Sequence, residues 1–198
     1  MKWVGLTGGI ATGKSTAAKA LRARGAAVID ADELAREAVA PGSRGLAELV
    51  AEFGPEALGA SGELDRRALG NVVFADPSKL KRLEAIVHPR VRAQCRERRE
   101  ALERAGQAIA FYDVPLLFEK GMAGEFDLTV AILCAPDAQK ARLMARNGLT
   151  EAEARARISA QLPIAEKARL ATVVLWNDGT IAELERKLDA FLATLAAR

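Results

Sequence analysis

The chain has little of what sulfur-, metal- and membrane-based protein classes require. Its 198 residues include two cysteines and one histidine. Cys95 and Cys134 lie far apart, with no CxxC spacing and no histidine beside them. A zinc site or a disulfide framework is therefore not expected, and a reducing, cytoplasmic setting is. No apolar run approaches the roughly 18 residues that a membrane span needs. The opening Met1-Lys2-Trp3-Val4-Gly5-Leu6-Thr7-Gly8 is interrupted too early to read as a signal peptide. The net charge is only +3, a poor match for a nucleic-acid binder and compatible with a small anionic ligand. Repeats and low-complexity tracts are missing too. With hydrophobic residues at 50% and charged residues at 28%, the chain can build both a core and a solvated surface.

Short apolar runs alternate with longer helical patterns, which predicts an α/β fold with a parallel sheet between helices. The strand candidates are Trp3 to Leu6, Ala27 to Asp30, Ile109 to Asp113, Leu128 to Cys134 and Thr172 to Trp176. Helices are expected over Lys14 to Arg24, Pro136 to Arg146 and Thr180 to Ala197. In the last of these, Ile181, Leu184, Leu188, Phe191, Leu192 and Leu195 form one apolar stripe. Two connections exceed a plain crossover. Residues 31–107 read as a helical insertion, with helices over Ser43 to Phe53, Asp65 to Phe74 and a charged Pro77 to Arg104. Residues 147–167 read as a mobile helical hairpin, leaving 1–30, 108–146 and 168–198 as the core.

The strongest motif is Gly8-Gly9-Ile10-Ala11-Thr12-Gly13-Lys14-Ser15, followed by Thr16. It matches G-x-x-x-x-G-K-[ST] between a strand and a helix. Such a loop turns successive backbone N–H groups toward a phosphate, and the following helix presents its positive end. Lys14 is expected to reach the outer phosphates, and the Ser15 hydroxyl to hold Mg²⁺. The chain is thus expected to bind a nucleoside triphosphate. It lacks D-x-x-G and N-K-x-D, which argues against a GTPase switch, and LSGGQ, which argues against a transporter ATPase. A small-molecule kinase remains, with one insertion for the acceptor and a lid that excludes water.

Val28-Ile29-Asp30-Ala31-Asp32 brings two carboxylates to a strand end, on one face if the chain stays extended. One can take the proton of an attacking hydroxyl while the other orders water at Mg²⁺; either can instead cap the next helix. Asp113, ending its strand, is a second candidate for Mg²⁺ through water, or an ordinary strand-end residue. His88 precedes Pro89, which favours an extended or turn conformation there. The basic helix 79–104 carries no interleaved aromatics, so it reads as a solvated face and not a nucleic-acid surface. Arg142 and Arg146 lie one turn apart and suit phosphate better than the lid arginines Arg155 and Arg157.

The sequence resembles the dephospho-CoA kinase family along nearly its whole length. Among the residues that carry the resemblance are Leu6-Thr7-Gly8-Gly9-Ile10, Val28-Ile29-Asp30-Ala31-Asp32, Leu83-Glu84-Ala85-Ile86-Val87-His88-Pro89 and Val114-Pro115-Leu116-Leu117-Phe118-Glu119, with Arg142, Arg146, Arg157-Ile158, Gln161, Asn177 and Gly179 further on. The resemblance implies a P-loop three-layer core with a five-stranded parallel sheet, a helical acceptor-binding insertion and a lid. It implies transfer of the ATP γ-phosphoryl group to the ribose 3′-hydroxyl of dephospho-CoA, the last step of coenzyme A synthesis. Asp32 would be the general base and Arg142 would neutralise the phosphoryl group. Arg146 and Asn177 would serve ATP, with Asn177 near the adenine. Thr7, His88, Leu116, Leu117 and Glu119 would fall on the acceptor side, Glu119 being otherwise a helix residue. Another small-molecule kinase, such as a nucleoside monophosphate kinase, is the alternative; a nucleotide-binding regulator is less favoured. A monomer is slightly favoured. Two positions depart from the family pattern: Ala11 stands where a third glycine is usual, and Thr172 where an Asp is usual. A left-handed backbone would disfavour Ala11.

Overall fold

Strands covered on both faces read as continuous apolar runs, and the central strands here behave in that way. In the computed structural model, residues 1–196 are described. The strands are β1 (Lys2–Gly8), β2 (Ala27–Asp30), β3 (Ile109–Asp113), β4 (Leu128–Leu133) and β5 (Val173–Trp176). They form an all-parallel sheet of order β2-β3-β1-β4-β5 among the described residues. Strand β1 sits between β3 and β4, with Leu6 paired to Asp113 and Gly8 to Ile132. The chain divides into two units, Met1–Ile29 with the chain from Leu102 onward, and Asp30–Ala101.

In the first unit, Val4, Leu6, Phe111, Val130 and Ile132 pack with α1 (Lys14–Ala23) and α9 (Ile181–Ala196). Helix α1 contributes Ala17, Ala18, Ala20 and Leu21; α9 contributes Leu184, Leu188, Phe191 and Leu195, the stripe expected from the sequence. Each such large apolar side chain, once buried, stabilises the fold by about 1.5–3 kcal/mol. The last residue of the expected helix, Ala197, lies outside the described residues. On the other side of β1, Trp3 stacks with Tyr112 at 5.7 Å and with Phe126 at 6.1 Å. Thr172 has a clear role: its hydroxyl accepts from Thr129 N at 3.1 Å, and its N–H donates to Thr129 Oγ1 at 3.0 Å. These bonds pin the start of β5 to β4.

The second unit contains α2 (Ala31–Glu37), α3 (Arg44–Phe53), α4 (Arg66–Phe74) and most of α5 (Pro77–Arg104). Side-chain oxygens open three of them: Asp30 caps α2, Ser43 caps α3 and Asp65 caps α4. Their apolar faces enclose Ala38, Val39, Leu49, Leu69 and Val73, with Leu83, Ile86 and Val87 of α5 against them. His88 is a correction: it lies within the continuous helix α5, which carries Pro89 in its interior. Proline removes one backbone hydrogen bond there. In the same turn the Arg90 guanidinium donates to the Ile86 carbonyl. The partly buried stripe Leu83–Ile86–Val87 thus holds helical a dipeptide that prefers extended backbone.

After β4 come α6 (Pro136–Asn147), α7 (Glu151–Ser159) and α8 (Ile164–Leu170). Gly148, with φ of 63°, ends α6 in the left-handed conformation that glycine favours. Thr150 and Glu153 form a reciprocal capping box that opens α7. The hairpin expected over 147–167 is therefore two helices, the second running on to Leu170. No helix among the described residues is long and apolar enough to cross a membrane.

Glu151 joins α7 to α6. Lys140 at 2.8 Å and Arg155 at 2.7 Å pull its carboxyl from 4.5 down to about 2. A depressed folded-state value means that the stabilisation is present above the unfolded value and disappears as the pH falls. The melting-temperature difference between the wild type and Glu151→Gln should hold constant at neutral pH. It should shrink as the pH drops from 4.5 toward about 2. A difference that grows on acidification would contradict this reading.

Candidate active site

Gly8 ends β1 at the carboxyl edge of the sheet, where ligands of open α/β folds bind. The loop that follows is tied down by its own and neighbouring side chains. Thr12 is fully buried, and its hydroxyl lies 2.9 Å from Gly9 O and 2.7 Å from Ile132 O. Asn177, just past β5, donates Nδ2 to Thr12 O at 2.9 Å and its N–H to Leu133 O at 2.6 Å. Gly13 must be glycine on two counts: its φ is 101°, and a Cβ would lie 2.1 Å from Asn177 Nδ2. No side chain caps α1 at Gly13, so its first-turn N–H groups remain for an anion. Ile10 N donates to Gln161 Oε1 at 2.8 Å, and Ile10 O accepts from Gln139 Nε2 at 2.8 Å. Ala11 has φ of 59°, the left-handed backbone that makes alanine unfavourable at this position.

Lys14 Nζ lies 2.5 Å from Asp113 Oδ1, and Asp113 is buried. Ser15 and Arg146 are exposed, and Arg146 bonds the neighbouring Asn147. Arg142 is half-buried, and its Nη1 is a buried donor with no hydrogen-bond partner. Such an orphan is rare in a folded interior and suits an anionic ligand. Its guanidinium approaches Cys134, whose thiol is pushed up by burial against the opposing pull of Arg142. A raised value keeps the thiol protonated and unreactive. Among the described residues no cluster of three or more His, Cys, Asp or Glu is arranged to hold a metal by itself. Ser15 Oγ in the first turn of α1 and the Asp113 carboxylate beside Lys14 are oxygen donors of the kind Mg²⁺ takes.

The residues expected on the acceptor side, and Asn177, differ in burial and bonding. Thr7 is fully buried and donates its hydroxyl to Pro115 O at 3.2 Å, so it braces β1 against the turn after β3. Leu117 is fully buried beside Gly5, where a Cβ would lie 2.7 Å from Leu117 Cδ1. Leu116 is exposed. Glu119 lies in a turn and not a helix; its Oε1 accepts from Lys167 Nζ at 2.6 Å and Leu162 N at 3.0 Å. Asn177 serves the backbone of the loop as a structural donor. In the second unit, the pair Asp30 and Asp32 does not stay extended. Asp30 Oδ1 accepts from Asp32 N at 2.8 Å and Glu33 N at 3.3 Å, which places Asp32 in the first turn of α2, exposed. His88 is also exposed, 3.9 Å from Glu84.

A family model described as dephospho-CoA kinase matches residues 2–183. The chain belongs to the dephospho-CoA kinase family. A dephospho-CoA kinase of Anaeromyxobacter dehalogenans is 53% identical over 98% of this chain and 92% of that protein. One from Geobacillus kaustophilus is 49% identical, over 96% and 94%. The crystal structure of a Thermus thermophilus protein superposes with a TM-score of 0.82 at 44% identity, covering 98% of this chain and 97% of that one. The dephospho-CoA kinase of Campylobacter jejuni gives a TM-score of 0.74 at 28% identity, over 98% and 96%. As a member of this kinase family, the chain takes ATP as co-substrate.

Within this family member, Gln139 and Lys167 had no part in the sequence reading. Gln139 lies one turn before Leu143 on the buried face of α6, and both are buried. A polar residue on an apolar helical stripe was the available signal. Lys167 gave the same signal in α8.

Ala11→Gly should stabilise the protein by about 1 kcal/mol, because relief of left-handed strain outweighs the added chain entropy. Calorimetry should show the melting temperature rising by roughly 2–4 °C for a chain of this size. An unchanged or lower value would mean that the strain is small.

Proposed function

We propose that this dephospho-CoA kinase family member transfers the γ-phosphoryl group of ATP to the ribose 3′-hydroxyl of dephospho-CoA, giving coenzyme A. The observation that carries the reading is Lys14, held at the sheet edge by Asp113 beside a loop whose carbonyls are bonded away from the ligand. The family match over residues 2–183 supports the acceptor.

The ATP phosphates rest on N–H groups of the loop and of the first turn of α1, with Lys14 at the outer phosphates. When bound with ATP, Mg²⁺ shields the phosphate charge; Ser15 Oγ would hold it, with Asp113 acting through water. The orphan Nη1 of Arg142 supplies a donor to the phosphoryl group in transit. Asp32 accepts the proton of the 3′-hydroxyl as its oxygen bonds to phosphorus and ADP leaves. The capping role of Asp30 supports this choice, since its Oδ1 is already engaged. Residues 31–107 serve acceptor recognition, with His88 and Leu116 as contacts. Residues 147–167 close over ATP and exclude water. Asn177 holds the loop near the adenine, and Arg146 adds charge. We assign the reaction to the cytoplasm and to a monomer.

Coupled ADP release with ATP and Mg²⁺ should report turnover on dephospho-CoA and none on AMP, CMP or shikimate. Turnover on another acceptor alone would sink the assignment. Asp32→Asn should lower kcat by about 10²–10⁴ while ATP affinity stays nearly constant. Survival of activity would move the base elsewhere.

A further inference from the structure

Ile10 is held from both sides. Its N–H donates to Gln161 Oε1 at 2.8 Å, from the turn between α7 and α8, and its carbonyl accepts from Gln139 Nε2 at 2.8 Å, from α6. The Gln139 amide comes close because Gly9 has no side chain: a Cβ there would lie 2.8 Å from Gln139 Nε2, whereas Gln161 Oε1, at 3.8 Å, would be in ordinary contact. Gln139 is buried, so its amide is confined to this task.

The geometry of the peptide bond gives these contacts their consequence. The Ile10 carbonyl and the Ala11 N–H belong to one planar trans unit and point in opposite directions. Holding the carbonyl against Gln139 therefore aims the Ala11 N–H away from α6. Holding the Ile10 N–H against Gln161 fixes the preceding peptide plane as well. Two successive planes are set, and Ala11 is kept at φ of 59°, a conformation that alanine avoids by itself. Rows of N–H groups oriented in this way make anion-binding concavities.

Gln161 is itself seated by charge. The neighbouring Leu162 N–H donates to Glu119 Oε1 at 3.0 Å, and the same oxygen accepts from the fully buried Lys167 at 2.6 Å. We propose that Gln139 and Gln161 are positioning residues that clamp the Ile10 peptides and preset the phosphate-binding loop, with Glu119 and Lys167 holding the turn from which Gln161 reaches it. The inference rests on the nucleotide reading above, and its test needs no acceptor.

The two amides have opposite hydrogen-bonding duties, so matched substitutions separate them. Gln161→Glu keeps an acceptor for the Ile10 N–H, whereas Gln139→Glu offers its carbonyl no donor, although both add the same charge. ADP titration calorimetry should show Gln161→Leu and Gln139→Leu each weakening ADP about tenfold, as expected when a peptide group loses its partner. Gln161→Glu should stay within about threefold of the wild type, while Gln139→Glu should lose at least as much as Gln139→Leu. In turnover assays Gln161→Leu should raise KM for ATP more than it lowers kcat. Wild-type ADP affinity in Gln161→Leu, or equal losses in the two Glu variants, would overturn the clamp. Failure of the wild type to bind ADP would overturn the nucleotide reading beneath it, and the clamp with it.

Discussion

A loop can offer its backbone N–H groups to a phosphate only if its carbonyls are engaged elsewhere. Much of this structure serves that requirement. Gly9 O is bonded by Thr12, Ile10 O by Gln139 and Thr12 O by Asn177. The three donors come from the loop, from α6 and from the end of β5, so elements distant in sequence must be placed correctly together. The parallel sheet makes this possible. Its order places β1 next to β4, with β5 beyond, and all three end at the same edge.

Charge follows the same economy. A net charge of +3 is small, yet individual cations are specifically placed. Lys14 is held by Asp113, and Lys167, fully buried, by Glu119. A buried charge without a partner would be costly, so each lysine fixes the element that supplies its carboxylate. Arg142 differs, because one of its nitrogens is buried without a hydrogen-bond partner. The surface pairs, such as Arg44 with Glu48, are exposed and contribute little by comparison.

Most elements were legible because their signals are local. Helix α5 runs from Pro77 to Arg104 and β3 from Ile109 to Asp113, as the apolar pattern indicates. The failures have physical causes. Proline favours an extended or turn conformation at His88, but packing of the apolar face of α5 outweighs that local preference. Of the two readings open for Asp30 and Asp32, an extended pair or a helix cap, the cap holds, because an Asp oxygen that captures two N–H groups turns the chain at once into helix. Thr7 and Leu117 carry the family pattern and are fully buried in this structure. Gln139 stayed hidden because its partner, the Ile10 carbonyl, lies 129 positions away along the chain.

The sequence alone determined the phosphate-binding loop, the alternation of strands and helices, and the family, because glycine spacing and apolar period act within a few residues. The left-handed backbone at Ala11, the need for glycine at Gly13 beside Asn177, and the pairing of Lys167 with Glu119 were decided only in three dimensions. Each depends on where a distant segment ends, and only the folded sheet brings those ends together.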